Sequence, residues 1–146
     1  DRLVPGKYQI ILGKELGLAS IAMPSLQVQR FGSLEGGELT GGGDGRLFHF
    51  SPDGGLSEID RVSRTLKPIH TFSSMTAVRA YAFARYAGRF YIFTASLGNT
   101  STTELDPETG EEKIRDRDIG FRVVGAGQST LVPRSDADAG SSGDFP

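Results

Sequence analysis

The sequence predicts an all-β chain assembled from repeated antiparallel units, and three observations carry that prediction. A glycine-rich turn that runs straight into an apolar strand is used twice. Gly41-Gly42-Gly43-Asp44-Gly45-Arg46 leads into Leu47-Phe48-His49-Phe50, and forty-three positions later Ala87-Gly88-Arg89 leads into Phe90-Tyr91-Ile92-Phe93. Each copy continues through a turn into a matched segment, Glu58-Ile59-Asp60 in one and Glu104-Leu105-Asp106 in the other, forty-six positions apart. Finally, 20 glycines and 7 prolines are spread among short apolar runs rather than gathered in one tract, which indicates many tight turns. Four short strands per period of this length, punctuated by Gly, Asp and Pro, form the pattern of β-propeller-like antiparallel blades, and the chain holds about three such repeats, a partial or incomplete propeller.

Taken in order, strands are expected near residues 8–12, 18–23 and 26–31. The first is bounded by Pro5-Gly6 and Gly13, the second is stopped by Pro24, and Leu26 to Phe31 alternates as a half-exposed strand does. Together they make up most of an earlier, more divergent unit. Glu38-Leu39-Thr40 then reads as the innermost strand of the next unit, followed by strands at 46–50, 56–59 and Leu66 to Thr71. Leu47 to Phe50 and Phe90 to Phe93 are nearly continuous apolar runs, as strands covered on both faces are. Met75 to Ala87 has five alanines and a helical propensity. It also alternates small and aromatic residues from Ala80 to Arg85, and the repeat offset lays Ala82 on Leu39, so a strand at 80–85 is expected there. Strands follow at 89–94, 102–105 and Glu112 to Ile114, with a loop around Leu97 to Ser101 that has gained three residues over the first copy. A third repetition begins at Gly120 with a strand at 121–125 and breaks off near Pro133. Residues 1–135 thus form one domain, and 136–146, small, acidic and rich in Gly and Ser, form a disordered tail or linker.

With 37% hydrophobic residues in 146, the chain builds one ordinary core. A net charge of −2, from 16 basic residues scattered among 18 acidic ones, argues against a nucleic-acid surface. No run approaches the roughly 20 apolar residues of a membrane span. Without cysteine there is neither a disulfide framework nor a thiolate metal site. A chain that begins at Asp1 rather than at methionine is expected to have lost an N-terminal segment, a signal peptide being one candidate.

Gly36-Gly37-Glu38-Leu39-Thr40-Gly41, Gly45-Arg46-Leu47-Phe48, Glu58-Ile59-Asp60, Phe90 to Phe93 and Val123-Val124-Gly125-Ala126-Gly127-Gln128-Ser129-Thr130 occur here in that order. This succession resembles a propeller-type repeat region of secreted or lipoprotein-like proteins of myxobacteria, over residues 36–133. The resemblance implies a propeller-type fold and a secreted or cell-surface setting. That group's last motif commonly ends in cysteine and proline where this chain has Leu131-Val132-Pro133, which removes a disulfide and weakens the extracellular implication.

Chemistry-bearing motifs are sparse. The glycines at 41–45 lack the lysine and the following helix of a phosphate loop. His49 aligns with Ile92 and reads as an interface residue, and Asp60 and Asp106 read as caps of their own turns. Asp116-Arg117-Asp118 lacks the calcium-loop pattern, so no metal or cofactor is expected. Asn99-Thr100-Ser101 matches a glycosylation sequon and marks an exposed loop. Aromatic and basic residues beside turns, Tyr81, Arg85, Tyr86, Arg89 and Tyr91, are the remaining candidates, since aromatic faces stack on sugar rings and arginines reach carboxylates or hydroxyls. The expected ligand-binding residues are Tyr86, Arg89, Arg85 and Asn99; the plainer alternative is that the tyrosines fill interfaces and the arginines cover their edges. The expectation is a non-enzymatic module that binds a glycan or a protein. Its alternatives are a structural subunit that completes a ring or coat with other copies or with the rest of a longer chain, and a propeller hydrolase or lyase.

Overall fold

The computed structural model describes residues 7–11, 18–22, 24–31, 36–73, 75, 80–96 and 99–128. These form three antiparallel sheets in which consecutive strands are neighbours. The N-terminal sheet holds β1 (Lys7–Ile11), β2 (Leu18–Ala22) and β3 (Gln27–Phe31). The middle sheet holds β4 (Glu38–Gly41), β5 (Leu47–Phe50), β6 (Gly55–Asp60) and β7 (Thr65–Thr71). The C-terminal sheet holds β8 (Ala80–Tyr86), β9 (Arg89–Ser96), β10 (Asn99–Leu105) and β11 (Glu112–Asp116). The chain is all-β over these residues, and the sheets do not close on one another.

The internal repeat is visible in the hydrogen-bond register. Phe48 pairs with Glu58 in the middle sheet, and Tyr91 pairs with Glu104 in the C-terminal sheet. Both outer hairpins then slip by one residue at the same place, between Leu56 and Ser57 and between Thr102 and Thr103, so that Ile69 and Arg115 are the extra residues of two equivalent bulges. Each outer hairpin turns on an aspartate. Asp60 Oδ1 accepts from the amides of Val62 and Ser63 at 2.9 and 3.0 Å, and Asp106 Oδ1 accepts from those of Glu108 and Thr109 at 2.9 and 3.4 Å. Arg64 (φ 62°) and Gly110 (φ 75°) close the two turns in the same left-handed conformation.

Three expectations change. Phe83, not Ala82, takes the place of Leu39: Phe83 pairs with Ile92 as Leu39 pairs with His49, because the stretch from Leu39 to His49 is one residue longer than the stretch from Phe83 to Ile92. The three residues gained after Phe93 do not enlarge a loop. They lengthen the hairpin, pairing Thr94 with Ser101, Ala95 with Thr100 and Ser96 with Asn99, since paired backbone satisfies its own donors and acceptors. Residues 121–125 form no strand; instead the Ile119 and Val123 amides donate to the carbonyl and Oγ1 of Thr100. The expected break near Pro133 and the tail at 136–146 lie outside the described residues.

The core forms where the inner face of the C-terminal sheet meets the facing side of the middle sheet. Phe48, Phe50, Leu56 and Phe72 pack against Phe83, Phe90, Ile92 and Leu105, with Phe48 and Phe90 edge to face at 4.9 Å. The two sheets approach most closely along β4 and β8. At their outer strands His70 Nε2 meets Glu112 Oε1 at 2.7 Å. A Cβ on Gly42 would collide with the guanidinium of Arg85, so this glycine of the rich turn lets the second sheet reach the first.

Candidate functional site

Strand parity divides the side chains of the C-terminal sheet. Phe83, Arg85, Phe90, Ile92 and Leu105 point into the core, whereas Arg89, Tyr91 and Glu104 point to the other side. The half of this outer face nearest the β9–β10 turn is crossed by residues 117–123, and Thr100 beneath them is wholly buried. The other half is open and forms a recess of about 340 Å³.

Charges line this recess in pairs. Glu104, only 5% exposed, accepts from Arg115 Nε at 2.6 Å, lies 3.5 Å from Arg89, and is hydrogen-bonded by the Tyr91 side chain. Arg89 also donates to Asp106 Oδ2 at 3.0 Å. Lys113, the cross-strand partner of Glu104, and Glu111 complete the wall. Arg115 is the extra residue of the bulge, the device that aims it at Glu104. The Arg115 hydrogen bond holds the Glu104 carboxyl below its ordinary range against the opposing effect of burial. Asp106 is also held low, first by the Glu108 amide.

The middle sheet carries the same scaffold with a different surface. Arg46 pairs with Glu58 at 2.5 Å and Lys67 with Asp60 at 2.7 Å; Arg89, Glu104, Lys113 and Asp106 hold the corresponding places in the second copy, where Asp106 pairs with Arg89 instead. Phe48 stands where the second copy has Tyr91, and Ile69 where it has Arg115. Phe48 is covered by Phe90 and by Arg85, whose guanidinium lies 5.0 Å from its ring.

Of the residues expected to bind, Tyr86 and Arg89 are brought together as a cross-strand pair beside the recess, Tyr86 being exposed. Arg85 is not with them. Its side chain is 11% exposed, pairs with Asp44 at 2.8 Å and stacks between Phe48 and Phe90, so it joins the two sheets. Asn99 lies in β10, six residues from Leu105 and therefore about 20 Å from the recess end of the strand. Glu104, Lys113 and Arg115 join the recess without any sequence motif that marks them as site residues. The alternation Thr102, Glu104, Asp106 marks one face, but the contribution of Arg115 depends on a bulge that only pairing reveals.

His49 is buried in the middle sheet, and Gly37 lies against its ring. Among the described residues no group of His, Asp and Glu is placed to hold a metal ion, and no helix is long and apolar enough to cross a membrane. The fold and site thus define a repeated, sheet-stacked all-β chain with a mixed-charge recess on its last sheet. No protein-family model matches the chain, and no curated protein does.

Proposed function

We propose that this chain is a non-enzymatic binding module on a propeller-type scaffold, with a glycan held in the recess of the C-terminal sheet. The carrying observation is the contrast between the copies. One face pattern is covered by a neighbouring sheet in the first copy, and in the second it is open, with Tyr91 for Phe48 and Arg115 for Ile69. Tyr91 supplies an aromatic ring, while the guanidinium and carboxylate groups around it supply donors and acceptors. Glu104 and Asp106 are both held ionised, which favours binding over a hydrolytic pair in which one carboxyl must stay protonated. The resemblance to secreted and lipoprotein-like repeat regions supports a cell-surface setting. A glycan array followed by titration calorimetry tests this reading: binding that Tyr91→Ala abolishes on a folded protein supports it, and an array without a hit removes it.

The duplicated register favours a second reading, a subunit that stacks with further sheets of its kind to complete a ring. Both outer edges are blunted, by Lys67, Pro68 and a bulge in β7 and by the charged, exposed β11, so such assembly would use sheet faces rather than these edges. Sedimentation showing a single monomer over a hundredfold range of concentration would rule it out.

A further inference from the structure

We infer that the recess selects a neutral, hydroxyl-rich saccharide over acidic sugars such as uronates or sulfated glycans, an inference that rests on the glycan reading. Its wall is charge-balanced. Arg89, Lys113 and Arg115 stand against Glu104, Asp106 and Glu111. Both guanidiniums are already engaged, Arg115 by Glu104 and Arg89 by Asp106 and Glu104. An acidic ligand that reaches either arginine must displace an internal carboxylate and then lie beside it, and one that reaches Lys113 lies next to Glu104 across the ladder, so its attraction is offset by the pair it breaks or by like-charge repulsion. A neutral polyol faces no such exchange. Each hydroxyl both donates and accepts, so it can use the remaining N–H groups of the guanidiniums and the remaining lone pairs of the carboxylates while every ion pair stays intact.

The polar surface of the recess fits the same ligand. Tyr91 stands opposite Glu104 in the ladder and is partly exposed, so the edge of its ring borders the charged groups. A pyranose that lays a C–H edge against it turns its hydroxyls toward the charged wall. The volume is at the lower end of the roughly 300–1,000 Å³ of ligand clefts, which suits one or two sugar rings rather than a long chain.

The test is calorimetric titration of the whole chain with neutral trisaccharides (cellotriose, mannotriose, galactotriose) and with acidic ones (trigalacturonate, a heparin-derived oligosaccharide), each at low and high salt. The expected result is a neutral ligand bound at least about tenfold more tightly than any acidic one, with an affinity that changes less than about twofold between roughly 0.05 and 0.5 M salt because no net charge is neutralised. Glu111→Lys, at an exposed position, should raise acidic affinity and so lower the neutral-over-acidic ratio. Glu104→Gln, checked by circular dichroism, should lower that ratio further by freeing Arg115. Preference for an acidic ligand by the unaltered protein, or neutral binding that falls steeply with salt, would overturn the selectivity while leaving a saccharide site. Failure of a folded protein to bind any of them would overturn both readings.

Discussion

Arg64 and Gly110 hold one turn conformation with different means. Both have positive φ, a region in which a side chain costs roughly 1 kcal/mol and glycine costs nothing. A Cβ on Gly110 would meet no atom within 4 Å, so Gly110→Ala isolates the backbone cost. It is expected to destabilise by about 1 kcal/mol in urea denaturation, and Arg64→Gly to stabilise by somewhat less, because glycine also loosens the unfolded chain. Equal stability of Gly110→Ala and the parent would mean that the turn relaxes. In the core, Phe48→Ala and Phe90→Ala each remove one partner of an edge-to-face pair and are expected to cost about 3–5 kcal/mol. Their effect on ligand binding should vanish once folding is restored by lower temperature, which a site residue would not allow.

At the scale of elements, Thr100 and Ser101 join the hairpin β9–β10 to the segment after β11. Thr100 is fully buried, its Oγ1 accepts from the Val123 amide at 3.0 Å, and its carbonyl accepts from the Ile119 amide. Thr100→Val keeps the shape and removes the acceptor, orphaning a partly buried N–H at a cost of about 1–3 kcal/mol. Hydrogen exchange should then quicken at Val123 and its neighbours but not at the β9–β10 ladder. Quickening spread evenly over the sheet would show that the segment is not held by this bond. The outer strands also show why the repeat is not a simple ladder. Each bulge carries an extra residue, and the second copy uses that place for Arg115, which grips Glu104 from β11.

For the whole molecule, acid is the condition that exposes the ion pairs. Arg46 holds Glu58 low, Arg115 holds Glu104 low, and at Asp44 burial, the largest single effect, is outweighed by the Arg85 hydrogen bond, the Arg46 amide and the charges of both arginines acting together. A carboxyl whose folded pKa lies below its unfolded value contributes stability above the unfolded value and loses it as pH falls through the folded one. Glu38, raised by burial, has the opposite sign: its contribution is present at low pH and is lost as pH rises through its folded pKa. The lowered groups outnumber it, so the melting temperature should be level from about pH 7 to about 5 and fall below about pH 4. A level curve down to about pH 3 would mean that these pairs form equally in the unfolded chain. The Asp44–Arg85 pair joins the two sheets, so the acid-destabilised species should lose sheet packing before secondary structure, readable as near-ultraviolet dichroism failing first.

What the amino-acid order determined alone is the local content. The alternation of Ala80 to Arg85 overcame its helical propensity, Asp60 and Asp106 capped their turns as their type and place required, and the matched Arg, Glu and Asp positions set one register twice. These are short-range matters, decided within a strand and its next turn. Tertiary structure decided which side of each strand is open. Arg85 and Arg89 are four residues apart and chemically alike, yet one is clasped between sheets by Asp44 and Phe48 while the other faces the recess, because cross-strand pairing places Arg85 opposite Phe90 and Arg89 opposite Tyr86. The lengthened hairpin that moved Asn99 into a strand and the bulge that delivers Arg115 to Glu104 likewise arise from pairing between strands. Backbone groups choose their partners across the sheet, and the face a side chain occupies follows from that choice.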